Sequence, residues 1–439
     1  MSLAVTLSWR RALPWIVLGA LLWRALLAWR TPVPAEDGVT YLWMAQQFAG
    51  GRAADALSEP FSPLWPLLLA LPIRLGVEPV FAAQVLGSLC GALAVWPVAA
   101  IAERLRPGAG VPAAALAATS RLFALTAVEG YTEPLFALAV ACGVLAGLRE
   151  RWWTLGLCGA LAFLVRPEGM LLPLPFVLLR GWRALPPVAA VVLLFGLWRA
   201  ACGLGFDPVP KVAFHGLRDD LGDERGSVLH NLLALPTAYM EAFAAAGLFA
   251  AMSPLPPRRP GLGRLAALLG IALLPMLTFV VRRRFLVGWT GVVTPLAGAG
   301  IAALPRATVR VRAVATALAC ALDLVLGWHG TIDSNRIGER LVGEHLASRL
   351  APGETIAGDL TRVLWFAGQR PLPARHFDAA WFVARARADG VRFVVVGSNR
   401  RDSFAAIQQG IADRFAPCAL PPALRAAAED RGLAVFERR

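Results

Sequence analysis

Residues 77–102 read VEPVFAAQVLGSLCGALAVWPVAAIA and carry a single charged side chain, Glu78. A run of this length can cross the hydrocarbon core of a bilayer, which is about 30 Å thick. Similar apolar runs recur up to residue 328, and the whole sequence is 57% hydrophobic with only 16% charged residues. Soluble domains carry about 25% charged residues. The sequence therefore predicts a polytopic α-helical membrane protein.

About eleven segments are predicted to span the membrane. They comprise residues 11–30, 77–102, 111–127, 134–148, 152–165, 169–181, 186–203, 229–252, 262–281, 285–304 and 310–328. Residues 62–75 are apolar but shorter and contain three prolines, so we expect a half-buried helix beside the membrane there. Arg166-Pro167-Glu168 interrupts residues 152–181, and counting this stretch as one span would invert every later orientation.

The arginines indicate how these segments are oriented. With the N-terminus in the cytoplasm, every inner connection is basic, as the positive-inside rule requires. The residues concerned are Arg104, Arg106, Arg149, Arg151, Arg180, Arg183, Arg258, Arg259, Arg264, Arg306, Arg310 and Arg312. The net charge of +14 therefore reports membrane topology, and we expect no nucleic-acid partner.

After residue 330 the character of the sequence changes. Residues 331–439 are rich in charge and contain no spanning run. Strand patterns at 353–357, 391–397 and 433–437 alternate with helical patterns at 336–350, 379–389 and 403–415. We predict a small α/β domain at 331–439, separate from a transmembrane domain at 1–330. Eleven spans would place this domain on the extracytoplasmic side.

Cationic side chains gather toward the outer side of the predicted spans, where charge is expensive. They are Arg24, Arg121, Arg166, Arg199, Arg282, Arg283 and Arg284. The run at 282–284 opposes the positive-inside rule and suits an anionic ligand such as a lipid phosphate. The alternative is that these arginines reach from helix ends to lipid headgroups. Lys211, the only lysine among 43 basic residues, lies in an outer loop and is a further candidate for phosphate binding.

Carboxylates lie on the same predicted side of the membrane. Glu36 and Asp37 occur in an outer loop at 31–61, directly before an amphipathic segment that we expect to lie on the membrane surface. Glu133 and Glu168 lie at two tight outer turns. A carboxylate beside an anionic substrate can take the proton of an acceptor hydroxyl. For Glu133 and Glu168 the alternative is helix capping or pairing with Arg166.

Metal and nucleotide chemistry find no support in the sequence. The six cysteines and five histidines show no metal-ligand spacing. Patterns of the P-loop or dinucleotide-binding type do not occur in a suitable context. We therefore predict no metal site and no certain cofactor.

Several short motifs together resemble the GT-C superfamily of glycosyltransferases that use polyprenyl-phosphate sugars. Asp37, followed by Tyr41, Ala45 and Gly50-Gly51, resembles the acidic motif of this superfamily and the helix after it. The remaining motifs are FSPLWPLLLAL at 61–71, YTEPLF at 131–136, RPEG at 166–169, PVPK at 208–211 and RFL at 284–286. The resemblance covers residues 10–330, and bacterial lipid A aminoarabinose transferases and protein O-mannosyltransferases are the nearest look-alikes.

The resemblance implies inverting transfer of a hexose or pentose from a polyprenyl-phosphate donor. The acceptor would be a hydroxyl of a lipid, glycan or protein on the outer side of the bacterial inner membrane. Asp37 or Glu36 would be the general base, because here the second acid precedes Asp37 instead of following it. The implied phosphate ligands are Lys211, Arg166, Arg282, Arg283 and Arg284, and the implied donor or acceptor contacts are Tyr41, Glu133 and Glu168. Some members use a divalent metal and others do not.

Two other classes of function compete with this interpretation. A transporter or flippase of lipid-linked substrates would show internal repeats or charges near the bilayer midplane, whereas the polar residues here favour one side. A non-catalytic membrane protein would not bring the predicted site residues together.

Overall fold

The computed structural model describes residues 2–179, 181–210, 228–251, 283–304, 309–329, 334–371, 379–397 and 401–439. By their contacts the residues form two compact units. Met1–Arg30 and Met44–Thr331 form the helical unit, and Thr31–Trp43 and Ile332–Arg439 form the C-terminal unit. The short segment 31–43 therefore groups with a domain that follows it far along the chain.

The α-helices of the described residues are α1 (Ser2–Arg30), α2 (Glu36–Ala49), α3 (Ala53–Leu57), α4 (Leu64–Arg74), α5 (Pro79–Leu93), α6 (Val95–Leu105), α7 (Gly110–Thr119), α8 (Arg121–Val128), α9 (Glu133–Leu148), α10 (Trp152–Val165), α11 (Leu185–Ala201), α12 (Val228–Ala251), α13 (Arg283–Val287), α14 (Thr290–Ala303), α15 (Val309–His329), α16 (Ser334–Ala347), α17 (Thr361–Phe366), α18 (Ala379–Ala386), α19 (Arg401–Ile411) and α20 (Pro422–Arg431). Three 3₁₀ segments, Pro167–Leu171, Leu174–Leu179 and Gly181–Ala184, lie between α10 and α11.

The apolar stretch at 77–102 is helical from Pro79 onward, apart from a turn at Ala94. α5 and α6 follow each other without a sharp break and together form an apolar helix, Pro79–Leu105. Its start is fixed locally, because the Glu78 carboxylate accepts hydrogen bonds from the backbone N–H groups of Val80 at 3.0 Å and Phe81 at 2.6 Å. Such a side-chain cap satisfies donors that the first helical turn leaves unpaired.

Among the described residues, helices that are long and apolar enough to span a membrane are fewer than the predicted spans. Within the described ranges, Trp9–Arg30, Pro79–Leu105 and Trp182–Ala201 are long and apolar enough to cross a membrane. α7 and α8 would add a fourth span as a pair bent by 49°. The predicted number of about eleven is not confirmed by this count. α9, α10 and α14 are apolar but shorter, and the predicted span 262–281 lies outside the described residues.

Two predicted spans are interrupted for identifiable reasons. Residues 111–127 break at Ser120, whose extended backbone (ψ 115°) separates α7 from α8. Residues 169–179 form 3₁₀ turns instead of a regular α-helix. Pro167, Pro173 and Pro175 lie in or beside these turns, and proline removes the backbone donor that an α-helix needs.

Small residues let the helices of the helical unit approach closely. A Cβ added to Gly298 of α14 would lie 2.7 Å from the carbonyl oxygen of Ala109, at the start of α7. At Gly291 an added Cβ would lie 2.8 Å from the Cβ of Ala141 in α9. Glycine at these two positions therefore permits close helix packing.

The C-terminal unit contains a four-stranded sheet with the order β1-β2-β4-β3. The strands are β1 (Thr355–Gly358), β2 (Val391–Gly397), β3 (Phe415–Pro417) and β4 (Leu433–Arg438). β1 and β2 are parallel, with Ile356 opposite Phe393, and both other pairs are antiparallel. The α/β character predicted for this part of the chain is therefore found.

Both faces of this sheet are covered by helices. Phe393 and Val395 of β2 belong to a buried cluster with Val342 of α16 and Ala428 of α20. The alternate residues, Val394 and Val396, belong to a second buried cluster on the opposite face, which includes Phe382 of α18 and Ile407 of α19. A central strand buried on both faces explains the continuous apolar run at 393–396.

Candidate functional site

Helix α2 begins at Glu36 and Asp37, the two candidates for the general base. Glu36 and Asp37 lie in its first turn, where the helix dipole favours negative charge. Asp37 is half-buried, and Tyr41, one turn further on, is buried. Residues four apart share a helix face, so Asp37 and Tyr41 lie on the same side of α2.

The apolar residues of α2 are placed differently from the prediction. Val39, Leu42 and Met44 are each 0% exposed. They therefore pack inside the protein, and the predicted membrane-surface helix is wrong in this respect.

Glu36 is part of a buried ionic network in the C-terminal unit. Nη1 of Arg362 lies 3.4 Å from Oε1 of Glu36 and 2.8 Å from Oε2 of Glu339. The Nε of Arg362 donates to the carbonyl oxygen of Pro34 at 3.0 Å. The side chains of Arg362 and Glu339 are 7% and 1% exposed, and that of Glu36 is 45% exposed. Glu36 is thus the outer partner of a buried Arg–Glu pair.

Three of the predicted site residues meet in the helical unit. Arg166 donates from Nη1 to Oε1 of Glu133 at 2.7 Å, and from Nη2 and Nε to Oε1 of Glu168 at 2.7 and 3.0 Å. Arg166 and Glu133 are buried. The rings of Phe136 and Phe285 lie 5.7 and 5.0 Å from the guanidinium carbon. This is the pairing alternative raised for Glu133 and Glu168, and it gives Arg166 two carboxylate partners.

Arg284 lies beside this cluster. Its guanidinium carbon is 5.3 Å from the ring centre of Tyr131 and 5.1 Å from that of Phe285. Phe285 therefore contacts the two arginines Arg166 and Arg284. Arg283 is placed differently, since its side chain is 54% exposed and pairs with Glu241 at 3.5 Å. Lys211 and Arg282 lie outside the described residues.

A tryptophan of the predicted juxtamembrane helix connects two of the sequence motifs. Trp65 of α4 is 0% exposed, and its Nε1 donates to the carbonyl oxygen of Gly130 at 3.1 Å. Gly130 belongs to the turn that carries Tyr131 and Glu133. The motif at 61–71 is thus hydrogen-bonded to the residue that directly precedes the motif at 131–136.

Two of the arginines predicted on the outer side, Arg24 and Arg199, donate hydrogen bonds to backbone carbonyl oxygens. Arg24 is fully buried, and its Nη1 donates to the carbonyl oxygens of Ala20 at 3.1 Å and Ala118 at 3.0 Å. Ala118 lies in the last turn of α7, where carbonyls lack helical partners. Arg199 donates in the same way to the carbonyl oxygen of Leu57. These contacts give the two arginines a role within the protein that the sequence did not reveal.

In the described ranges, no group of three or more His, Cys, Asp or Glu side chains is arranged to hold a metal ion. The acids of the Arg166 cluster are held by a guanidinium instead.

The structure is similar to solved structures of two proteins. ArnT from Cupriavidus metallidurans bound to undecaprenyl phosphate matches with a TM-score of 0.59 and 13% identity, over 97% of this chain and 98% of that chain. Its apo state gives a TM-score of 0.62 and 14% identity over the same shares. The archaeal oligosaccharyltransferase AglB from Archaeoglobus fulgidus, in complex with an inhibitory peptide and a dolichol-phosphate, matches with a TM-score of 0.60 and 13% identity over 92% of this chain and 71% of that chain. No protein-family model and no curated protein sequence matches the chain.

These structural matches test the resemblance to the GT-C superfamily that the sequence motifs indicated. ArnT and AglB both belong to the GT-C superfamily. The fold that the motifs implied is therefore confirmed, and at 13–14% identity the likeness is one of fold.

Proposed function

We propose that this protein is a membrane glycosyltransferase that moves a hexose or pentose from a polyprenyl-phosphate donor to an acceptor hydroxyl. The observation that carries the proposal is the match of almost the whole chain to ArnT, whose structure holds undecaprenyl phosphate. The AglB structure, which holds a dolichol-phosphate, supports the same class of donor. Apolar helices long enough to cross a membrane would bring the protein to such a lipid.

The proposed reaction takes place on the extracytoplasmic side of a bacterial inner membrane. Basic residues at the predicted inner connections support a cytoplasmic N-terminus. The α/β domain at 331–439 would then lie outside, on the same side as the acceptor. The acceptor is a lipid, a glycan or a protein.

Asp37 is the proposed general base. Asp37 is the acid on which the motif resemblance rests, and Glu36 pairs with the buried Arg362. In the proposed step, the acceptor hydroxyl gives its proton to the Asp37 carboxylate, and its oxygen attacks the anomeric carbon from the face opposite the phosphate. The bond from the anomeric carbon to the phosphate oxygen breaks, and the phosphate leaves with the electron pair. The configuration at the anomeric carbon is inverted.

Cationic groups stabilise the departing phosphate in this proposal. Its negative charge grows in the transition state, so fixed positive groups accelerate the step. Arg284 is the foremost candidate among the described residues, because it is half-buried and its guanidinium lies over the Tyr131 ring. Lys211 and Arg282 remain proposed phosphate ligands, and Arg283, which is exposed and paired with Glu241, is proposed as a lesser one.

The remaining predicted residues receive supporting roles. We assign Arg166, Glu133 and Glu168 to holding the turns beside Arg284, because their charges are paired with one another. Tyr41 is proposed to contact the donor or the acceptor, since it lies on the same face of α2 as Asp37.

The proposal is tested with purified protein in liposomes that contain acceptor-rich lipid extract. Radiolabelled hexose and pentose donors are offered as polyprenyl phosphates and, for comparison, as nucleotide sugars. We expect label to reach the acceptor only from polyprenyl phosphates, with inverted anomeric configuration. Movement of the intact donor across the bilayer without transfer would indicate a flippase, and no transfer from any donor would contradict the proposal.

A further inference from the structure

The segment that precedes Asp37 has no regular secondary structure, although its two prolines restrict φ at their own positions. Residues 31–35 read Thr-Pro-Val-Pro-Ala and form neither helix nor strand. Pro32 and Pro34 have no backbone N–H and cannot donate to a local turn. The position at which α2 begins must therefore be fixed by other parts of the protein.

Arginines of the C-terminal domain provide these contacts. The carbonyl oxygen of Pro34 accepts from Arg362 at 3.0 Å, and that of Pro32 accepts from Arg340 at 3.2 Å. At the far end of the segment, the guanidinium of Arg370 lies 4.9 Å from the ring centre of Trp43. Residues 32–43 are thus held on both sides of Asp37 by α16, α17 and the loop that follows α17.

Arg362 is the best-fixed member of this set. Its side chain is 7% exposed, and its charge is balanced by Glu339 of α16, which is 1% exposed. The planar guanidinium directs N–H groups toward Glu339, Glu36 and Pro34 at once, which the single ammonium of a lysine cannot reproduce. A buried arginine with three acceptors on two elements restrains both of them.

We propose that Arg362 is a positioning residue for Asp37, and that the C-terminal domain serves to hold residues 32–43 in the geometry that catalysis requires. The inference rests on the proposed function, in which Asp37 takes the proton of the acceptor. Because Arg362 contacts Pro34 and Glu36, its loss displaces the start of α2 and with it the Asp37 carboxylate. A displacement of about 1 Å in a reacting group can slow a reaction by about 10²-fold.

The test compares Arg362→Met, Arg362→Lys and the control Arg387→Met in full-length protein. Arg387 belongs to the same unit, is 42% exposed, and pairs with Asp413 and the carbonyl of Gly410. We expect kcat to fall by about 10²-fold in Arg362→Met with KM for the donor unchanged. Arg362→Lys should recover part of the loss, and Arg387→Met should behave as wild type.

Hydrogen exchange of the peptide that covers residues 31–49 provides a second readout, which does not need activity. Exchange there should be faster in Arg362→Met and unchanged in Arg387→Met. An inactive wild type with this exchange pattern would contradict the proposed function and leave the holding role supported. An active wild type with unchanged kcat and unchanged exchange in Arg362→Met would overturn the inference. Loss of folded Arg362→Met protein together with full activity of Arg362→Lys would overturn it as well, because stability alone would then explain the contact.

Discussion

Arg166 and Glu133 form an ion pair in which Nη1 and Oε1 are 2.7 Å apart, with side chains 5% and 2% exposed. Glu168, 20% exposed, completes the cluster on the other side of the guanidinium. The two carboxylates and the guanidinium stabilise one another, because each alone would be a buried charge without a compensating partner.

Arg166→Ala is therefore expected to reduce stability strongly. The change leaves Glu133 and Glu168 without their cation, and breaking a buried pair in this way costs about 3–5 kcal/mol. Denaturant unfolding in detergent measures the difference.

The matched control for this variant is Arg283→Ala in the same unit. Arg283 and Glu241 are 54% and 51% exposed, and an exposed pair contributes about 1 kcal/mol or less. Equal losses in free energy of unfolding for the two variants would contradict the paired, buried cluster.

Arg284 and Arg283 are neighbours in sequence that should differ in donor binding. Arg284 is half-buried against Tyr131, whereas the Arg283 side chain is 54% exposed. A hydrogen bond to a charged group is worth about 1.5–3 kcal/mol, so Arg284→Gln should weaken donor binding by about 10- to 150-fold. Titration of each variant with polyprenyl-phosphate sugar measures this. A larger effect of Arg283→Gln would move the proposed phosphate site away from Tyr131.

Glu437 makes the stability of the protein depend on pH. Burial alone would raise the pKa of Glu437, but its hydrogen bonds with Arg349 at 2.7 and 2.8 Å and with Arg392 at 2.8 Å outweigh burial and hold the pKa below its ordinary value. A lowered pKa in the folded state adds stability above the unfolded pKa of about 4.3, and this stability is lost as the pH falls through the folded value.

The variant Glu437→Gln should therefore melt at a lower temperature than wild type at pH 7, and the gap should narrow as the pH falls from about 4.3 through the lowered folded-state pKa. Thermal unfolding of the full-length protein at pH 7 and at a series of acidic pH values measures it. Asp413→Asn is the control, because its partner Arg387 and Asp413 itself are 42% and 55% exposed. A gap that persists unchanged at low pH would show that Glu437 acts by packing rather than by charge.

The sequence predicted the sheet better than the spans. The strand predicted at 391–397 is found at Val391–Gly397, and that at 433–437 is found at Leu433–Arg438. Phe415–Pro417 was missed, because three residues ending in proline are too few to show an alternating pattern. The break at Ser120 was missed because residues 111–127 are apolar on average, although Thr119, Ser120 and Arg121 are polar.

Contacts between residues far apart in the sequence were the part of the site that was hardest to predict. Pairing of Arg166 with the two glutamates was foreseen as an alternative, since all three lie at predicted outer turns. Arg362 was not foreseen, because 326 residues separate it from Glu36 and it resembles any other arginine of a charged domain. Burial of the apolar face of α2 was likewise invisible, since protein and lipid select the same residues.

The account depends most on Asp37, and the decisive measurement is the rate of sugar transfer by Asp37→Asn, Glu36→Gln and Asp55→Asn at equal amounts of folded protein. A general base contributes about 10²–10⁴-fold, so Asp37→Asn should lose at least that factor. Glu36→Gln should lose less than about 10-fold, because a half-exposed pair contributes about 1 kcal/mol or less. Asp55→Asn, a change at a side chain that is 58% exposed, should match wild type. Full activity of Asp37→Asn together with an inactive Glu36→Gln would contradict the assignment of Asp37 as the base.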